Sequence, residues 1–392
     1  MPHNTNITDV NPPYGGFPKV VEAGWNDNYL PIWMQEAGYN TYYTGKLWNA
    51  HSVTNYNKPL AKGFNGSDFL LDPYTYRYYD SRMTRNGAKP VSYAGKYSTD
   101  VIAEKASGFL DEAFSHPDTP WMLTVAPTAP HSNGSYDPTR DTNWFGEPEY
   151  PPRYDDLFKD YKIPRDASFN KPITGGVSWV KDLPELNDTV IQYNDEFQRR
   201  RLRALQAVDE MIGSLISKLE DAGVLDNTYV VFSTDNGYHI GQHRMNPGKN
   251  CGYGELLACI PVAFAVLANI CLETDINVPL SIRGPGIPAN QTLDVVTSHT
   301  DLAPTFLHFA GAPSRKGLDG KSVPFTVEEG KEAKTEHAAI EYWGLVSAIH
   351  AIPLHHLSWV IANPGAVYPR RYLWTLQQRA YPAGHAVQEQ HL

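Results

Sequence analysis

The run Ser233-Thr234-Asp235-Asn236-Gly237 directly follows the apolar stretch Tyr229-Val-Val-Phe232. A carboxylate and an amide oxygen side by side at a strand end are hard ligands of the kind Ca²⁺ or Mg²⁺ takes. The same three letters Asp-Asn-Gly also make an ordinary tight turn. Three cationic or titratable groups stand in comparable places. Lys46 closes Gly38-Tyr-Asn-Thr-Tyr-Tyr-Thr-Gly45, His131 closes Ala126-Pro-Thr-Ala-Pro130, and Lys249 follows Asn236 in a loop. Each alone reads as a solvated loop residue. Together, at strand ends, two ammonium groups and an imidazole can grip a sulfate or phosphate and stabilise charge on its oxygens.

Those residues need a scaffold that brings strand ends together. Apolar spacing predicts helices over Leu30–Ala37, Ser98–Ala113 and about Asn194–Ala222. The last carries a stripe of Leu202, Leu205, Val208, Ile212, Leu215 and Leu219, closed by Gly223. Strands are expected at Tyr39–Thr44, Trp121–Ala126 and Thr228–Phe232. Residues 1–30, 50–95 and 131–190 read as loops, the second with short hairpins. Alternating strands and helices predict an α/β fold with a mostly parallel central sheet between helices. Ligands of such sheets sit outside the carboxyl ends of the strands. Asp301, in His299-Thr-Asp-Leu-Ala-Pro-Thr305, reads as a helix cap aided by Thr300.

Composition narrows the class. The 392 residues are 41% hydrophobic and 12% aromatic, enough for a sizeable core. A net charge of −10 with no basic run argues against nucleic acid as a partner. Cys251, Cys259 and Cys271 make neither a disulfide framework nor a zinc spacing. Asn6, Asn65, Asn133, Asn187 and Asn290 each begin Asn-x-Ser/Thr, where about two such sites are expected by chance, so a secreted or endomembrane-lumen glycoprotein is expected. The polar segment from Met1 to Gly15 carries no signal-peptide core.

Five blocks in order, GYNTYYTGK (38–46), VAPTAPH (125–131), STDNGYHIGQH (233–243), VPLSIRGPGIP (278–288) and SHTDLAPTFLHFAG (298–311), resemble the type I sulfatases. The likeness is greatest to fungal arylsulfatases and the glucosamine-6-sulfatase branch, and it runs from Met1 to about Gly344. It implies an alkaline-phosphatase-like fold and hydrolysis of sulfate monoesters, small or sugar-borne, with one bound Ca²⁺. It makes Asp235 and Asn236 metal ligands. Lys46, His131 and Lys249 become the groups that hold the sulfate and its leaving oxygen, with His239 a further candidate. The histidine that the family places two residues after the first lysine is absent from GKLWNAH, which leaves that role open between Asn49 and His51.

The resemblance also marks what this sequence does not contain. The family nucleophile is the cysteine of Cys-x-Pro-x-Arg, oxidised to formylglycine. Neither that motif nor Ser-x-Pro-x-Arg occurs here. The expectation is a chain that starts just downstream of the nucleophile. It would lack formylglycine, a strand of the sheet and the paired aspartates that form half of the calcium site. The fold would be incomplete at both ends, and the polypeptide inactive. The stretch LLACIPVAFAVLANICL (256–272) holds no charge. It is short for a membrane span and interrupted by Pro261. Deleting 254–272 joins Tyr253 to Glu273 and restores the family pattern, so an intron read through in frame is expected rather than a membrane span. Residues 345–392 form a divergent or aberrant tail beyond a domain ending at 344. Alternatives are a non-catalytic binder of sulfated glycans and a phosphatase or phosphodiesterase of the same superfamily.

Overall fold

A computed structural model describes residues 2–137, 142–173, 181–249 and 274–333. The three cysteines, the 254–272 stretch and the 345–392 tail lie outside the described residues.

The central sheet has five strands in the order β4-β3-β2-β1-β5. They are β1 (Asn40–Gly45), β2 (Gly66–Leu70), β3 (Arg82–Arg85), β4 (Val91–Ser92) and β5 (Trp121–Ala126). β1 is parallel to both β2 and β5, with Tyr42 opposite Gly66 and Leu123. β3 and β4 continue the sheet antiparallel, so it is mixed. β2 lies inside a segment the sequence reads as loop and hairpin. Its Gly-Ser-Asp start hides a strand that is buried along its whole length. Burial on both faces removes the alternation that would have signalled it.

Helices preceding the sheet are α1 (Pro2–Thr5), α2 (Gly16–Glu22) and α3 (Leu30–Glu36). α2 also falls in a stretch read as loop. Its Phe17 and Val20 are buried, so packing outweighs a glycine start and a proline in the first turn. α4 (Ser98–Phe114) and α5 (Asp188–Asp221) follow, with Asn187 capping α5 by accepting from the Val190 amide. Side chains alternate across β1. Tyr42 packs on Phe109 of α4, whereas Tyr43 meets Phe64 and Phe69, and Thr41 hydrogen-bonds Gln35 of α3. The sheet is therefore covered on both sides.

The largest core cluster joins Leu70, Met83, Val101 and Ile102 to Ala204, Ala207, Val208 and Met211 of α5. The buried stripe of α5 is thus rotated from the expected one. Leu205 is 37% exposed, and small alanines face α4 instead. Alanine lets two helices approach closely, and leucine at those positions would not fit.

β6 (Asn133–Asp137) and β7 (Thr142–Gly146) form a hairpin in a region read as loop. β8 (Val230–Phe232) pairs antiparallel with β9 (Ser281–Arg283), a partnership the sequence reading did not include. Among the described residues β8 has no ladder to the five-stranded sheet. α6 (Leu302–Phe309) and α7 (Val327–Glu332) complete the described fold. Asp301 stands at the N-cap position of α6, as expected, but its carboxylate turns back as the acidic arm of a capping box on Ser298, accepting from the Ser298 amide at 2.7 Å.

Candidate active site

β1 and β5 end together. The Lys46 amide donates to the Ala126 carbonyl at 2.9 Å, one step past the last ladder pair Gly45–Ala126. Gly45 has φ +108°, and a Cβ there would sit 2.1 Å from the Ala126 oxygen. Only glycine allows the chain to turn and deliver Lys46 at this rim. From β5 the chain runs through Pro127 to a turn in which the His131 amide bonds the Thr128 carbonyl at 2.8 Å. Tyr76 then joins the two strand ends. His131 stacks on its ring at 4.1 Å, and Lys46 Nζ lies 5.1 Å from the same ring's centroid.

The third contribution comes from the loop after β8. Lys249 Nζ donates to Asn236 Oδ1 at 3.1 Å, with Asp235 exposed beside it. The loop is tied down twice. His239 exchanges two backbone hydrogen bonds with Gly248, at 2.9 and 3.0 Å. Gly237 and Tyr238 donate to Asp275 and Thr274 carbonyls. A Cβ on Gly237 would fall 1.9 Å from the Thr274 oxygen, so this close approach requires glycine.

Electrostatics join the halves. Burial pushes the His131 imidazole down to about 4, with the ammonium of Lys249 and then Lys46 adding to it against Asp235. Burial also lowers Lys249; Asp235 opposes this, while Lys46 and Arg201 reinforce it. Asp235 in turn adds to the rise that burial imposes on the Tyr43 hydroxyl. Lys46, His131, Lys249, Asp235 and Asn236 therefore meet in one neighbourhood. His131 Nδ1 must carry the hydrogen, because it faces the Ser132 carbonyl at 2.9 Å. At neutral pH the other ring nitrogen is then a lone-pair acceptor. The sequence reading assigned the imidazole no charge; in the ligand-free protein it is neutral, and an arriving anion would favour its protonation.

His239 uses one ring nitrogen inside the protein. Its Nδ1 donates to Asp275 Oδ2 at 2.7 Å, both side chains are buried, and its role is to hold the loop that carries Lys249. His51 is fully buried between Phe17, at 4.6 Å, and Phe69, at 5.5 Å. It belongs to the aromatic core, while Asn49 stays partly exposed and uses its carbonyl to receive the Phe17 amide. Of the glycosylation candidates, Asn6 and Asn290 are exposed at the surface. Asn187 is engaged as the α5 cap, Asn65 accepts from the Thr41 amide, and Asn133 starts β6.

Asp235 and Asn236 have the oxygen chemistry that Ca²⁺ takes, but they are two ligands where six to eight are usual. No group of three or more acidic, histidine or cysteine side chains arranged for a metal occurs among the described residues.

The sulfatase family model matches residues 1–312. The chain belongs to the sulfatase family. An arylsulfatase of Volvox carteri is 40% identical over 333 residues, covering 81% of this chain and 48% of its own length. The N-acetylglucosamine-6-sulfatase of Homo sapiens is 29% identical, covering 82% of this chain and 53% of its own. The chain thus spans about half the length of the curated relatives it matches. A solved structure of a protein in complex with its substrate D-glucosamine-2-N,6-O-disulfate superposes with TM-score 0.55 at 24% identity, covering 82% of this chain and 67% of that one. The fold is therefore the alkaline-phosphatase-like one of sulfatases.

Within this sulfatase chain, four site residues escaped the sequence reading: Tyr76, Tyr238, Asp275 and Arg201. Tyr76 lies in a Tyr-rich stretch where no single ring stands out. Asp275 lies 36 residues from His239, and nothing local couples them. Arg201 did leave a signal. It falls at the helical spacing of Phe197, Ala204 and Val208, a cation in an apolar stripe.

Proposed function

We propose that this chain forms the sulfate-binding half of a sulfatase active site acting on sulfate monoesters of aryl or amino-sugar alcohols. The observation that carries the reading is the meeting of Lys46 and His131 on Tyr76 with Lys249 on Asn236. Two ammonium groups with a neutral imidazole beside them favour a tetrahedral anion. Lys249 and Lys46 orient the sulfate oxygens, and protonated His131 can pass a proton to the departing alkoxide. Asp235 and Asn236 would hold the Ca²⁺ that the family uses, whose chemistry there is polarisation of the sulfate oxygens.

This 392-residue polypeptide contains no Cys-x-Pro-x-Arg. By itself it binds sulfate esters without turning them over. The test has two arms. Calorimetry with inorganic sulfate, with and without Ca²⁺, should give binding that Lys46→Gln and Lys249→Gln each weaken by about tenfold. A chromogenic aryl sulfate should give no turnover beyond an Asp235→Ala control. Equal sulfate binding by both lysine variants would remove the reading.

We assign the protein to the secretory route on the five acceptor asparagines, of which Asn6, Asn65, Asn187 and Asn290 are exposed. No helix among the described residues is long and apolar enough to cross a membrane. Expression through a eukaryotic secretory pathway, with a mass shift on endoglycosidase treatment that Asn290→Gln reduces and Asn6→Gln reduces further, checks this.

A further inference from the structure

The end of the sheet remote from Lys46 carries a cavity of its own. It holds about 510 Å³ and is lined by Asn40, Tyr42, Asn65, Glu112, Ser115 and His116 among others. Asn40 begins β1 and Lys46 follows its last residue, so the cavity lies about 20 Å from Lys46 along the strand. Glu112, Ser115 and His116 come from the carboxyl end of α4 and the turn after it. The walls are polar, unlike those of a dry core void. The Asn40 and His116 side chains and the Tyr42 hydroxyl have no hydrogen bond among the described residues. Unused donors and acceptors in a space of this size suit a small polyhydroxylated ligand.

The cavity also contains the acceptor of a modification. Asn65 opens the triplet Asn65-Gly66-Ser67. Its Oδ1 accepts from the Thr41 amide at 2.9 Å and from Gln35 Nε2 at 3.0 Å. Only an oxygen can face two N–H donors, so the carboxamide has one orientation. Nδ2 is the free arm, with no hydrogen bond among the described residues. A glycosylated asparagine keeps Oδ1 as an acceptor and loses one hydrogen from Nδ2, so both observed bonds survive the modification. The Asn65 amide also donates to the Thr41 carbonyl at 2.8 Å. Backbone and side chain are thus both held, and together they set the direction in which a first sugar leaves Nδ2.

We propose that Asn65 carries an N-linked glycan whose first N-acetylglucosamine residue sits in this cavity and braces β1 against the end of α4. In the transfer, the bond from Nδ2 to sugar C1 forms as the bond from C1 to the pyrophosphate of a lipid-linked oligosaccharide breaks. The pyrophosphate leaves with the bonding pair, and Nδ2 gives up one proton. The step precedes folding, because the folded triplet is closed. Ser67 is 5% exposed within β2, and a Cβ on Gly66 would fall 2.5 Å from the Phe109 ring. The inference rests on the secretory-route reading above and adds to it an acceptor and a seat for its first sugar.

The test uses the whole 392-residue chain secreted from a eukaryotic host, with glycopeptides mapped by mass spectrometry. Asn65 should be modified. On the native protein, the amidase that cuts between asparagine and the first sugar should release the Asn65 glycan about tenfold more slowly than a glycan on Asn6 or Asn290, and denaturation should equalise the rates. An endoglycosidase that leaves one sugar on each asparagine should keep the melting temperature. Ser67→Ala removes the triplet but keeps Asn65 and its bonds, and it should lower the melting temperature by about 3 °C. Made in a bacterial cytoplasm, where neither chain is modified, the variant and the unaltered protein should melt together. Glycans on Asn6 or Asn290 with Asn65 bare overturn the proposal while the secretory reading stands. So do equal release rates on the native protein, or a loss on Ser67→Ala that is the same from both hosts. No glycan on any asparagine removes the secretory reading and this inference with it. The release rates on the unaltered chain decide even if Ser67→Ala does not fold.

Discussion

The two sides of α5 handle the same side chain in opposite ways. On one side Arg203, only 6% exposed, donates to the Leu157 carbonyl at 2.9 Å and the Tyr150 hydroxyl at 3.1 Å, with Glu196 close by. On the other side Arg201 has an aromatic ring and no acid among the described residues. The first arrangement is complete and fixes the 150–165 segment against the helix. The second leaves Arg201 stacked on Tyr238 with its Nε unpartnered among the described residues. A buried cation with its acceptors in place holds the fold together, and one without them costs stability.

The largest effect should come from the completed side. Arg203→Ala leaves the Leu157 carbonyl and Tyr150 hydroxyl without their donor and opens a void. It should lower stability by about 3 kcal/mol in urea denaturation. Next comes His51, a buried group that serves the core rather than a ligand. Burial holds its pKa down at about 4 against an ordinary 6.5. Its neutral form therefore supports the fold fully above pH 6.5, and that support fades as pH falls toward 4. Stability should drop by on the order of 3 kcal/mol across this window. His51→Phe should flatten the acid limb, and an unchanged profile would remove His51 as its source.

Asp275→Ala frees the buried Nδ1 of His239 and loosens the Lys249 loop. About 2 kcal/mol of stability should go, with weaker sulfate binding in the same preparation. Asp275→Asn, which can still accept from His239, should restore most of the binding. The smallest change in stability belongs to Arg201→Met. Replacing an unpaired cation in an apolar stripe should cost less than about 1 kcal/mol, or raise the melting temperature. If Arg201→Met destabilises the fold as much as Arg203→Ala, the contrast between the two sides of the helix is lost.

Much of the scaffold was legible because it depends on local pattern. α3, α4, β1 and β5 lie where apolar spacing and glycine stops put them, since those signals act within a few residues. β2 and α2 were not legible: a fully buried strand has no alternation, and a short helix takes its stability from what it packs against. The α5 stripe was displaced for the same reason, because leucines outnumber alanines on paper while the neighbouring helix selects the alanines in space.

By itself the sequence determined the kinds of group at the site. Lysines, a histidine and an Asp-Asn pair follow strand-like segments, and the strand ends of such a sheet gather on one rim. Only the tertiary structure decided what each group does there. It made His131 a neutral ring by burying it near two ammonium groups, and it bound Nδ1 of His239 to Asp275. It also separated Arg201 from Glu196 by half a helical turn. Charge state and partner choice depend on distances between residues far apart in the chain, and no local pattern encodes those.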